Sequence, residues 1–267
     1  MKVGWIGLGN IGRLMAMHTV KGGHDVVGHS RDFSRHQDLA DAGARLTSSA
    51  PEVAAHAEVL CVNVFDDGQL RAAVVDSGAL AAMRPGAVLV VHSTGAPDVI
   101  EDIARQAPEG VHVLDAPFSA SNQQTAAADV TVLVGGDTTA LEAARPPIST
   151  YGRRILPIGP LGAARRLKLI NNMLYAANLA IAGEAVAAAE AMGLERHMAV
   201  AALEVSSGAS YALPRFGGER SVAQVLDGAS RYLDKDADLL RAAARNMGFD
   251  VPLLEAVVRW GAKEETA

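Results

Sequence analysis

Lys168 and Asn172 lie four residues apart in LGAARRLKLINNML (161–174), a stretch otherwise dominated by Leu, Ile and Ala. At about 100° per residue, Lys168, Asn172, Tyr175 and Leu179 share one helix face, with Asn171 at its edge. Leu167, Ile170, Leu174 and Ile181 line the opposite side. A solvated polar stripe usually carries Glu and Lys. A lysine followed by two asparagines is instead a set for hydrogen bonding and proton exchange. The competing reading is a lysine whose stem covers apolar surface while its ammonium stays in water.

A second group of residues could hold an anion. GLGNIG (7–12) places Gly7, Gly9 and Gly12 in the spacing G-x-G-x-x-G, directly after the hydrophobic run KVGWIGL (2–8) and at the start of a helical pattern. In such a turn the first glycine permits the tight bend, the second lets backbone approach a pyrophosphate, and the third lets helix and strand pack closely. The helix start offers free N–H groups and a partial positive charge to phosphate. Leu8, Asn10 and Ile11 complete the turn and are expected to contact the same dinucleotide. The competing reading is a glycine turn used for packing alone.

The end of the next strand bears on which dinucleotide. HDVVGHSRDFSR puts Ser30 and Arg31 where an NAD site usually has a carboxylate, and Asp32 comes late for that role. Arg31 can fork to a 2′-phosphate and Ser30 can donate to it, which favours NADP while leaving NAD possible. Otherwise Arg31 is a solvated loop charge.

These residues need a scaffold. Up to about residue 160 the sequence alternates β-branched runs with Ala-rich helical stretches. Strands are expected at 2–8, 24–30, 58–65, 87–94, 112–119 and 130–136, and helices at 12–22, 35–43 and 49–57. EVLCVNVF (58–65), which contains the expected cofactor contact Val64, and AVLVVHST (87–94) are nearly continuous apolar runs, as in strands covered on both faces. The alternation predicts an α/β Rossmann domain with a doubly wound, mostly parallel sheet over residues 1–160. After PIGPLG (157–162) no strand is expected. Residues 163–191 read as one helix of about 43 Å at 1.5 Å per residue. It opens an all-α domain, 161–267.

Bulk properties narrow the function. A chain of 267 residues, 49% hydrophobic and with net charge −6, has ample core and no general affinity for nucleic acid or anionic membrane. No run approaches the ~18 apolar residues that suggest a membrane span, and the glycine-interrupted start is not a secretory signal. The single cysteine, Cys61, excludes an internal disulfide and points to a reducing, cytoplasmic setting; it is expected to pack inside its strand. The eight histidines show no metal spacing, and no metal is expected. KEETA is the only low-complexity tail.

With the glycine turn, HSTGAP, DAPFSAS and GAARRLKLINN in this order, the chain resembles the β-hydroxyacid dehydrogenase family over essentially its whole length. In that family a D-A-P-V-S-G-G segment cradles the substrate carboxylate. Asp115, Ala116, Pro117 and Ser119 match it, while Phe118, Ala120 and Ser121 replace the other three. Gly162, Lys168, Asn171 and Asn172 match G-x-G-x-x-x-K-x-x-N-N, with Ala164 in place of the second glycine. Lys235 and Asp236 match a later K-D pair that lies near the nicotinamide in relatives, and Thr94 falls where relatives place a cofactor-contacting Thr.

The resemblance implies an NADP-dependent enzyme (NAD possible) interconverting a small 3-hydroxyacid and its semialdehyde. Lys168 is then the proton carrier, its pKa lowered by burial and a nicotinamide cation, and Asn172 a neutral orienter. Ser119 donates to the substrate carboxylate, flanked by Ala120 and Ser121; Ser121 or Asn122 is expected to donate where the glycines are missing. Lys235 closes the cofactor side. The same resemblance implies that the helical domain, 161–267, serves substrate binding and dimerisation, giving a homodimer or homotetramer. Two alternatives remain: an imine reductase-like enzyme, against which Lys168 argues, and a dinucleotide sensor without catalysis. A 6-phosphogluconate dehydrogenase is disfavoured, because the helical domain of that group is much longer than the ~75 residues after the long helix.

Overall fold

A computed structural model describes residues 1–261, of which 230–232 and 259–261 by backbone only; the KEETA tail lies outside the described residues. The chain forms two compact units, Met1–Lys168 and a second that begins at Leu169.

The first unit is built on a nine-stranded sheet: β1 Lys2–Ile6, β2 Asp25–His29, β3 Arg45–Thr47, β4 Val59–Val62, β5 Val88–Val91, β6 His112–Asp115, β7 Phe118–Ser119, β8 Val130–Gly135 and β9 Gly152–Gly159. The order is β3-β2-β1-β4-β5-β6-β8-β7, with β9 also paired to β8. β1 to β6 run parallel, β8 is antiparallel to β6 and β7, and β9 is parallel to β8. The strand order reverses direction between β1 and β4. In doubly wound sheets ligands bind outside the carboxyl ends of the strands at such a point. β4 and β5 are buried along their whole length, because each face of the sheet carries its own core. Trp5, Cys61 and Val90 lie on one side; Ile6, Leu60 and Leu89 lie on the other.

Three features depart from the sequence-based expectation. β3 is only three residues long, too short to show a period. β9, GRRILPIG, carries two exposed arginines and Pro157, which hid it; a strand with a single partner tolerates such residues. The stretch 112–119 is two strands, not one. Ala116 and Pro117 interrupt the run: β6 and β7 follow one another in the same sense and one register along β8, and Pro117 has no N–H to give a ladder.

Residues 163–191 do form one helix, Ala163–Ala191. The second unit contains most of it, followed by helices Arg196–Glu204, Val222–Met247 and Pro252–Gly261 and a 3-10 turn, Leu213–Phe216. Among the described residues no strand follows Gly159. Ser221 and Gln224 form a reciprocal cap at the start of Val222–Met247, and Gly248 ends it with φ +73°. Leu179, Val186, Val200, Phe216 and Val225 form the core of this unit, with Leu169, Met173 and Leu240 as a second cluster. Among the described residues no helix is long and apolar enough to cross a membrane.

Candidate active site

The glycine turn sits at the carboxyl end of β1 and opens the helix Asn10–Lys21. Two of the three glycines are required by the fold, and the third leaves space. Gly7 has φ +91°, and a Cβ there would strike the Asn63 carbonyl beyond β4. A Cβ at Gly12 would strike the Gly7 carbonyl. At Gly9 a Cβ would meet nothing within 4 Å, so the backbone there faces open space. Gly9 caps the helix without a side-chain hydrogen bond, and the first turn holds no acidic residue. Its N–H groups are therefore offered to an external anion, which fits the pyrophosphate of a nicotinamide dinucleotide. Asn10 is exposed on this rim, Ile11 half-buried, and Leu8 buried behind it.

At the end of β2, Ser30 is buried and its hydroxyl closes a turn, donating to the Asp32 carbonyl at 2.8 Å. Asp32 in turn accepts from the Ser34 N–H (3.1 Å) and hydroxyl (2.6 Å). That hydroxyl holds the carboxyl below the usual range and commits it to its own turn. Arg31 is exposed. Ser30 thus shapes the loop that presents Arg31.

Val64, just beyond β4, donates its N–H to the Ser93 hydroxyl at 2.9 Å, which joins the ends of β4 and β5; Thr94 follows, half-buried. Along 115–121, Ser119 is exposed on β7 and Ala120 packs on the core. Ser121 caps the short helix Asn122–Ala126: its hydroxyl accepts from the Gln124 N–H (3.2 Å), and its own N–H donates to the Gln124 side chain (2.8 Å). The Ser121 main-chain donor is consumed by that cap, so only its hydroxyl hydrogen is left for a substrate. Asn122 is exposed on the same short helix.

The start of the long helix is anchored by two motif residues, Asp115 and Gly162, and by Arg165, Asp67 and Ala96, which the motifs did not single out. Asp115 is fully buried and accepts from the Gly162 and Arg165 N–H groups, both at 2.8 Å. Burial raises its pKa, and those two donors oppose the rise. The Arg165 side chain, also fully buried, donates to Asp67 at 3.0 Å and to the Ala96 carbonyl at 2.9 Å. Asp67 accepts the Ala96 N–H at 2.8 Å. Three segments, around Asp67, Ala96 and Asp115, are thereby fastened to the helix turn that precedes Lys168. Lys168 itself is buried, 8% exposed.

In the second unit Asn172 and the K-D pair come together. The Asn172 amide donates to Asp236 at 2.5 Å and accepts from Asn171 at 3.1 Å, and the Lys235 ammonium lies 3.5 Å from Asp236. Asp236 is 4% exposed. Asn172 is therefore a neutral amide backed by a carboxylate. Cys61 is buried, and burial pushes its thiol up to about 12, as fits a packing role.

Sequence reading missed Arg165, Asp67 and a buried pair, His92 and Tyr151. The first had a signal: a second arginine three residues before Lys168, on the face that turns inward. Tyr151 had none.

Comparison with known proteins agrees with this arrangement. The family model for the NAD binding domain of 6-phosphogluconate dehydrogenase matches residues 2–159. That for the NAD-binding of NADP-dependent 3-hydroxyisobutyrate dehydrogenase matches residues 162–262. An NAD-dependent L-serine dehydrogenase of Pseudomonas aeruginosa is 31% identical over 262 residues, covering 94% of this chain and 88% of its own. A 2-(hydroxymethyl)glutarate dehydrogenase of Eubacterium barkeri is 29% identical over 215 residues, 80% of this chain and 71% of its own. The solved structure of Mycobacterium tuberculosis 3-hydroxyisobutyrate dehydrogenase with L-serine superposes with a TM-score of 0.84 at 27% identity, covering 98% of this chain and 93% of that one. With a glycine turn after β1, a buried lysine at the head of the long helix and these two family models, the chain belongs to the β-hydroxyacid dehydrogenase family of NAD(P)-dependent oxidoreductases.

Proposed function

We propose that this protein is an NADP-dependent dehydrogenase of small 3-hydroxyacids of the form HOCH2–CHR–CO2⁻, interconverting them with their semialdehydes. The observation that carries the reading is the buried Lys168, one helical turn ahead of an Asn172 whose amide Asp236 holds fixed. The names of the three relatives share that substrate unit. When bound, the nicotinamide ring exchanges a hydride with the carbinol carbon.

The chain supplies the rest. The Lys168 amine takes the hydroxyl proton during oxidation and returns it to the carbonyl oxygen during reduction. Asn172 orients the oxygen, and Ser119 with the Ser121 hydroxyl meets the carboxylate, with Ala120 filling the space between. Gly7 to Gly12, Val64 and Thr94 hold the dinucleotide, Lys235 adds a cation, and Arg31 meets the 2′-phosphate. The commitment of Asp32 to its own turn favours NADP over NAD. The imine reductase and sensor readings are not favoured by the relatives or by the intact Lys168.

Leu167, Ile170, Leu174 and Ile181 are 37–54% exposed along one side of the long helix. A second copy covering that stripe accounts for so much exposed apolar surface, in keeping with a homodimer or homotetramer. The single, buried thiol fits a reducing, cytoplasmic compartment.

The test is turnover of L-serine, 3-hydroxyisobutyrate and 2-(hydroxymethyl)glutarate with NADP⁺ and with NAD⁺. Oxidation of at least one acid, with higher kcat/KM for NADP⁺, is expected. Dinucleotide binding without turnover of any acid or its semialdehyde would return the sensor reading.

A further inference from the structure

Between the motif DAPFS and the core of the first unit lies a histidine that the proton chemistry does not use. His92 follows β5 and is 1% exposed. Its Nδ1 lies 2.7 Å from the Ala116 carbonyl, and its Nε2 lies 2.9 Å from the Tyr151 hydroxyl. Only one polarity satisfies both contacts. A carbonyl oxygen accepts, so Nδ1 carries the hydrogen; Nε2 is then an acceptor, and Tyr151 donates to it. Burial lowers the imidazole pKa to about 4, which keeps the ring neutral at pH 7. The ring is also fixed by packing. Trp5 stacks on it with centroids 5.9 Å apart and planes 14° apart, and Phe118 meets it at 6.3 Å and 74°.

These contacts converge on the stretch where β6 gives way to β7. The Ala116 N–H donates to the Val91 carbonyl at 2.7 Å, so His92 completes a grip on both polar groups of Ala116. Two residues later its ring faces Phe118, and Ser119 comes next on β7. β7 continues β6 in the same sense along β8, but the link between them is thinly held: Pro117 has no N–H, and its carbonyl accepts from the Leu133 N–H at 2.9 Å. The His92 hydrogen bond to the Ala116 carbonyl adds a fixed point to that link.

We infer that His92, held by Tyr151, is a positioning residue that sets the Ala116–Ser119 backbone and thereby the place of Ser119 against the substrate acid. The inference rests on the proposed role of Ser119, but its first readout needs no substrate. An Asn at 92 can put an N–H where Nδ1 stood, whereas a Gln places its amide near the position of Nε2 and leaves the Ala116 carbonyl without its donor.

In the purified full chain, His92→Gln is expected to raise amide hydrogen exchange in the peptide covering 115–121 by about tenfold, and His92→Asn by no more than about threefold. With L-serine and 3-hydroxyisobutyrate as probes, KM for the acid should rise about tenfold in the Gln variant while KM for NADP⁺ stays within about twofold. Equal exchange in the two variants, or an equal loss of acid and cofactor affinity, would overturn the inference. Should the Gln variant fail to fold, Tyr151→Phe keeps the ring and removes only the hydroxyl. It should raise exchange in the same peptide by about threefold, and unchanged exchange would overturn the inference equally. A wild-type protein that oxidises no acid would sink the proposed function, and the exchange measurement would still decide the place of His92.

Discussion

Arg165 and Asp67 form an ion pair at 3.0 Å that ties the first turn of the long helix to the short helix Asp67–Arg71 that follows β4. The guanidinium is wholly buried, and Asp67 retains some exposure. Burial lowers the Arg165 pKa, and Asp67 opposes the loss. Such a pair contributes through what its rupture leaves behind. Arg165→Leu strands the Asp67 carboxylate and the Ala96 carbonyl, and should lower stability by about 3 kcal/mol. Adding Asp67→Leu should recover part of that loss, a coupling that chemical denaturation of the two single variants and the double variant will measure. Full additivity would mean the pair is not coupled.

Lys168→Ala should reduce kcat by roughly 10²- to 10⁴-fold, with NADPH affinity within about twofold of wild type. Steady-state rates with the best acid of the panel, and a fluorescence titration with NADPH, supply the two numbers. Normal turnover would remove Lys168 from proton transfer.

Arg31→Ala should raise KM for NADPH by about 10-fold or more and leave that for NADH nearly unchanged, because one charge-assisted fork to phosphate is lost. A comparable rise for both dinucleotides would show that Arg31 serves the loop and not the 2′-phosphate.

His92 links stability to pH. Its imidazole titrates near 4 in the native protein and near 6.5 when unfolded. Between those values the unfolded chain binds a proton that the native chain refuses, so stability falls as pH drops from about 6.5 to about 4, by on the order of 3 kcal/mol in all. Below that window both states are protonated and the contribution stops changing. The neighbours Tyr151 and Cys61 titrate far above the window, both raised by burial. Urea midpoints at several pH values should show a shallower slope for His92→Asn than for wild type.

Ile170→Glu, alone or with Leu174→Glu, places charge in the exposed apolar stripe of the long helix. Light scattering after gel filtration should show a smaller particle than wild type, with the fold preserved by circular dichroism. An unchanged mass would move the association surface elsewhere.

The sequence by itself determined a good deal. The glycine turn, the alternating runs and the helical period of 163–191 are local patterns, and most reappear as single elements near the expected limits, 112–119 and 35–43 being split. Local period records which face of a segment is apolar, so it carries over directly into strands and helices. The family followed from motif order, also a property of the linear chain.

Tertiary structure decided the partners. Asn172 reads as a lone neutral amide, yet its hydrogen bond runs to Asp236, 64 residues away. Arg165 reads as one more helix charge, and burial turned it into an anchor for Asp67 and Ala96. His92 and Tyr151 meet across 59 residues because β5 and the turn before β9 approach within one core. The reason is physical: a polar side chain is assigned its role by what it must satisfy once water has been removed, and only the packed chain fixes which groups are left to satisfy it.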